Sequence, residues 1–138
     1  LIRLIRLTRY LWASPNTLLG LMGMLFALAG GHMERKAGVL EAWGGPLRWA
    51  LGPWADVITL GHVILARDRD LLDRWRRHEH IHVRQYERWG PFFLPVYVLL
   101  GVWCWGTGRH PYRDHPFERE AGLDVDCPRR PEGKVTQG

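Results

Sequence analysis

The chain has 138 residues, 46% hydrophobic and 24% charged, which suits one domain with a modest core and excludes a disordered chain. Net charge is +5 and the pI about 9.8, carried almost wholly by arginine, since Lys36 and Lys134 are the only lysines. The arginines are scattered and no nucleic-acid-binding motif is present, so no nucleic-acid partner is expected; Cys104 and Cys127 form neither a C-x-x-C pair nor a disulfide framework.

Leu1 to Trp12 repeats an apolar-apolar-Arg pattern, and a helix would place Arg3, Arg6 and Arg9 on one stripe. Ser14-Pro15-Asn16-Thr17 reads as a break, with Asn16 or Thr17 capping a second helix. Leu18 to Ala29 is an apolar run well short of the roughly 20 residues a spanning helix needs. Three readings compete for residues 1–31. Basic start, apolar stretch and Ala27-Leu28-Ala29 together fit a secretory signal. A basic amphipathic segment also suits peripheral contact with an anionic membrane. The reading adopted is a pair of apolar/basic helices covering the rest of the domain.

From His32 to Asp70 the periodicity changes. Gly38–Trp43 and Asp56–Ala66 are rich in Val, Ile, Leu and Trp and bounded by Gly-Pro punctuation, which predicts two or three strands. The clearest is Asp56–Leu65. Arg67-Asp68-Arg69-Asp70 makes a charged turn, with Asp70 as the expected cap of the next helix.

Leu71–Trp89 is the strongest predicted helix, ended by Gly90-Pro91. Phe92–Trp105 reads as a buried helix broken early by Pro95. His115-Pro116-Phe117-Glu118 looks like the start of a short helix with Pro at its first position. The domain is expected over residues 1–127, with a polar tail over 128–138.

The chemistry lies in His78-Glu79-His80-Ile81-His82, which satisfies H-E-x-x-H. On a helix, residues four apart share a face, so His78 and His82 can offer two imidazoles to one ion. Glu79 lies beside that face, offset from ligation and placed to take a proton from an activated water. Leu71, Leu72, Trp75, Val83, Tyr86 and Trp89 mark a buried stripe that positions 78, 79 and 82 continue. Two histidines and a carboxylate facing inward are costly unless they serve a metal or each other. His80, about 200° round the helix from His78, is expected at the surface. A further ligand is required. None follows at the short three-histidine spacing, and the candidates lie in the segment from His110 to Ala121.

At Glu118-Arg119-Glu120-Ala121 the sequence resembles the gluzincin metallopeptidases, in which a downstream E-x-E-A or E-x-x-A helix places its first Glu on the metal. That resemblance implies Glu118 as third ligand, with His115 and Glu120 as substitutes; the competing role for Glu118 is helix capping. Many members carry Asp after the Ala, where this chain has Gly122, with Asp124 the nearest replacement. The resemblance also implies that the Asp56–Leu65 strand is an edge that pairs with an extended peptide. His62, Asp68 and Asp73 are candidates to orient ligand histidines, and Tyr112, His110 and Tyr97 to stabilise an oxyanion.

The expectation is a small zincin-like α+β domain, mostly helical, with a two- or three-stranded sheet before the H-E-x-x-H helix. It would be a zinc metallopeptidase with Zn2+ on His78, His82 and Glu118, Glu79 as general base, and a peptide or protein substrate. The rival is a membrane-surface or interaction module with a structural or vestigial zinc site. Cytoplasmic or membrane-associated placement is favoured, with secretion the other option.

Overall fold

The computed structural model describes residues 1–122. Its fold is α+β, with helices on both faces of a four-stranded mixed sheet ordered β1-β2-β4-β3. The strands are β1 (Gly31–Lys36), β2 (Val39–Gly44), β3 (Val57–Leu60) and β4 (Val63–Ala66). The helices are α1 (Ile2–Met24), α2 (Leu47–Leu51), α3 (Arg69–Trp89), α4 (Phe93–Gly106) and α5 (Pro116–Glu120).

Two antiparallel hairpins lie side by side, joined by a parallel β2–β4 pairing. The expected Asp56–Leu65 strand is therefore two strands. Gly61-His62 turns the chain between them, with Gly61 at φ +62 and its α-carbon against Thr17, where a Cβ would collide. The expected two or three strands become four, because β1, His-Met-Glu-Arg-Lys after its glycine and almost wholly exposed, carries no apolar alternation.

β4 is buried on both faces, which explains its unbroken Val-Ile-Leu-Ala run. Val63 and Leu65 join Met24, Ala27, Leu47 and Leu51 beneath α1 and α2. Ile64 and Ala66 face the other way, onto Leu72 and Val83 of α3. Period-two alternation thus feeds two half-cores from one strand.

The expected break at residues 14–17 is absent, and α1 runs through Pro15 as one helix instead of a pair. Proline removes the N–H that would reach the Leu11 carbonyl; the Ser14 hydroxyl donates to that carbonyl instead, at 2.7 Å. The neighbouring polar side chains are docking points. Asn16 Nδ2 donates to the Gly90 carbonyl at 2.8 Å, and Thr17 Oγ1 accepts from the His62 amide at 3.1 Å. Gly20 lies against Val63 and the Leu60 carbonyl, and Gly23 against Leu65, so α1 rests directly on the sheet.

Asp68, not Asp70, caps α3: its side chain accepts from the Leu71 amide at 2.9 Å. Pro95 does not break α4, because it falls in the first turn, where amides have no helical partner to lose. His115 caps α5, with Pro116 at the first helical position.

Candidate metal centre

α3 presents His78 and His82 one turn apart on its buried face, and α5 brings Glu118 against them. All three are buried. His78 Nε2 lies 2.8 Å from Glu118 Oε2, His82 Nε2 lies 3.2 Å from the same oxygen, and the two Nε2 atoms are 3.1 Å apart. Two donor atoms from one turn of α3 and a third from α5 therefore converge on one point, a group that could hold a metal ion.

The donor set suits a metal. Ligand atoms held about 2.0–2.1 Å from a tetrahedral ion stand roughly 3.3 Å from one another, close to the spacing observed. The two imidazoles and one carboxylate bring no permanent cation of their own. Burial opposes charge on His82, but the bond and charge of Glu118, with the Glu79 charge and the Gln85 bond, together outweigh it and raise its pKa to about 9. Burial likewise opposes ionisation of Glu118, yet the bonds from His78 and His82 hold it well below the usual carboxylate range.

Supporting residues fix these ligands, and sequence reasoning missed the most informative of them. Gln85 Oε1 accepts from His82 Nδ1 at 2.7 Å, while Gln85 Nε2 donates to the Phe117 carbonyl at 3.0 Å. One amide therefore turns the His82 Nε2 inward and ties α5 to α3. Its signal was available: position 85 is three after His82 and seven after His78, on the same helical face. Tyr97 of α4 donates to Glu118 Oε1 at 2.6 Å, so this oxyanion candidate already holds a ligand carboxylate.

Glu79 is buried beside the triad. The Thr59 hydroxyl on β3 donates to its Oε2 at 2.6 Å, and Tyr86 donates to the Thr59 carbonyl at 2.9 Å. Burial pushes the Glu79 carboxyl up, against the pull of His82 and the Thr59 hydroxyl. His78, Glu79, His82 and Glu118 all line one cavity of about 290 Å³, walled by Val57–Leu60 of β3 and by Tyr97 and Tyr112.

Other expected site residues lie elsewhere. His115 is no substitute ligand: its Nδ1 accepts from the Phe117 amide, and its Nε2 meets the Tyr97 carbonyl at 2.8 Å. Glu120 is exposed and pairs with Arg88. His62 stacks on Tyr10 and bonds Glu87, Asp68 caps α3, and Asp73 pairs with Arg76, so none orients a ligand histidine. His110 Nδ1 accepts from the amides of Tyr112 and Arg113, shaping the loop that carries Tyr112 to the cavity. Asp124 and Cys127 lie outside the described residues.

His80 is not a free surface residue. It is half-buried and lies 3.2 Å from Oε1 of Glu41, a fully buried carboxylate on β2 that also takes three bonds from the Arg76 guanidinium.

What fold and site define together is an α+β protein with a buried two-histidine, one-glutamate group able to hold a metal ion. Comparison with protein-family models, curated proteins and solved structures gives no match.

Proposed function

We propose that the chain is a zinc-dependent hydrolase, a minimal gluzincin-like metallopeptidase with a zincin-like fold. Zinc would be held by His78, His82 and Glu118. The observation that carries this reading is the convergence of three ligand atoms in the same cavity as the buried Glu79 carboxylate.

Bound zinc supplies a Lewis acid that brings the pKa of water towards neutrality. The chain's own residues do the rest. Thr59 holds one Glu79 oxygen, leaving the other to accept a proton as water oxygen bonds to the substrate carbonyl carbon. Glu79 then passes that proton to the amide nitrogen as the carbon–nitrogen bond breaks, giving a carboxylic acid and an amine. Gln85 and Tyr97 keep His82 and Glu118 in place.

Zinc is favoured over harder cations by its affinity for two imidazoles and one carboxylate. A peptide substrate is favoured by β3. It pairs only with β4 among the described strands, so its outer edge is available to an extended chain, and its residues wall the cavity. A cavity near the small end of ligand pockets fits a short substrate segment.

The test is Glu79→Gln. It should keep one zinc per chain and lower hydrolysis of an unfolded protein or peptide at least about hundredfold. Full activity in this variant, or none in the zinc-loaded wild type, would overturn the enzyme reading. The second reading, a membrane-surface module with a structural or vestigial zinc, draws on the exposed apolar side chains of α1 and predicts that second result.

A further inference from the structure

The largest feature the metal centre does not use is the apolar exterior of α1 and α4. Leu18 and Met22 on α1, Leu25 just after it, and Leu99, Val102 and Trp103 on α4, are each more than half exposed. Such side chains are ordinary singly and unusual as a continuous field on a water-soluble protein. Here the two helices join. Trp12 of α1 packs against Phe92, just before α4, with ring centroids 6.1 Å apart, and both remain substantially exposed.

Charge is arranged to match. No Asp, Glu, Lys or Arg occurs between Arg9 and Glu34, or between Arg88 and Arg109. Neither α1 nor α4 carries an acidic residue, and the cations stand at their ends. Arg3 and Arg6 are exposed on the first turns of α1. Beyond α4, the Arg109 guanidinium lies 5.3 Å from the Trp103 ring centroid. An apolar field edged by arginine and tryptophan matches the hydrocarbon, interface and anionic headgroups of a bilayer leaflet.

We propose that the outer faces of α1 and α4 form one lipid-binding surface that seats the chain on an anionic phospholipid bilayer. The seating is on one leaflet. Ile2–Leu28 is long and apolar enough to cross, but α1 gives its opposite face to the rest of the domain, Ala13 to Tyr86 and Phe93 and Gly20 and Met24 to the sheet. Arg69–Gly106 is also long and apolar enough, but its α3 part is charged and carries the buried histidines. α4, with 14 residues, is about 21 Å long, short of the roughly 30 Å hydrocarbon core. This surface does not depend on the metal.

The test is flotation of the full chain, synthesised cell-free with vesicles of phosphatidylcholine alone or mixed with phosphatidylglycerol. Wild type should float with the mixed vesicles, and His82→Ala should float equally. Joint Met22→Ser, Leu25→Ser, Leu99→Ser and Trp103→Ser changes should weaken partition at least about tenfold. These side chains are exposed, so helix content by circular dichroism should be unchanged. Arg3→Glu with Arg6→Glu should lower partition to mixed vesicles about tenfold and leave neutral vesicles unaffected. Brominated lipid should quench tryptophan emission in the wild type and less so in the serine variant. A wild type that stays soluble, as monomer or dimer, or a serine variant that floats and is quenched like wild type, would overturn the surface. Protease protection of any segment by sealed vesicles would overturn the one-leaflet seating.

Discussion

Two buried carboxylates meet α3 from opposite sides, and they are solved differently. Glu41, on β2, is wholly buried and receives the Arg76 guanidinium through three hydrogen bonds, with His80 completing its shell. A permanent cation is built in, so the cluster is electrically complete. Among the described residues Glu118, on α5, meets two imidazoles and the Tyr97 hydroxyl. Among those residues no permanent cation is built in there. The first arrangement is what a buried structural ion pair looks like, and the second is what a cation site looks like. Counting histidines near a carboxylate would not separate them, since both have one or more; the presence or absence of the guanidinium does.

That contrast can be broken by exchanging the insults. Glu41→Ala leaves the half-buried Arg76 guanidinium with Asp73 as its partner, which should cost about 1–3 kcal/mol of stability while the folded protein still binds zinc at one equivalent. Denaturant melts and metal titration on the same sample check both halves. If zinc binding were lost from the still-folded variant, the two clusters would not be independent.

A second change sharpens the comparison. Gln85→Ala removes the partner of His82 Nδ1 and the tie to the Phe117 carbonyl. Metal affinity should fall about 10–100-fold, measured by competition with a chelator. Unchanged affinity would make Gln85 a packing residue only.

How much of this was legible beforehand follows the range of the interactions. His78, Glu79 and His82 are set by local helical spacing and the start of α5 by His115-Pro116, whereas Glu118 as their partner follows from the gluzincin resemblance alone. Their neighbours depend on long-range contacts that no spacing encodes. Thr59 reaches Glu79 across the β3–α3 interface, and Tyr97 reaches Glu118 from α4. Elsewhere local rules were overridden. Ser14 repairs the hydrogen bond that Pro15 deletes, so a proline that reads as a break sits inside α1. β1 was hidden because an exposed edge strand needs no apolar face, although the Ala37-Gly38 turn, with both residues at positive φ, pins its hairpin to β2. Gly61-His62 was absorbed into one long strand because the flanking residues on both sides are apolar.

The most direct test is the zinc content of the purified full chain, compared with that of His82→Ala and of Glu118→Ala after removal of adventitious metal. The account predicts one zinc per wild-type chain and a loss of tight binding in both variants. Absence of zinc binding by the wild type, or a Glu118→Ala variant that holds zinc as tightly as wild type, would contradict it.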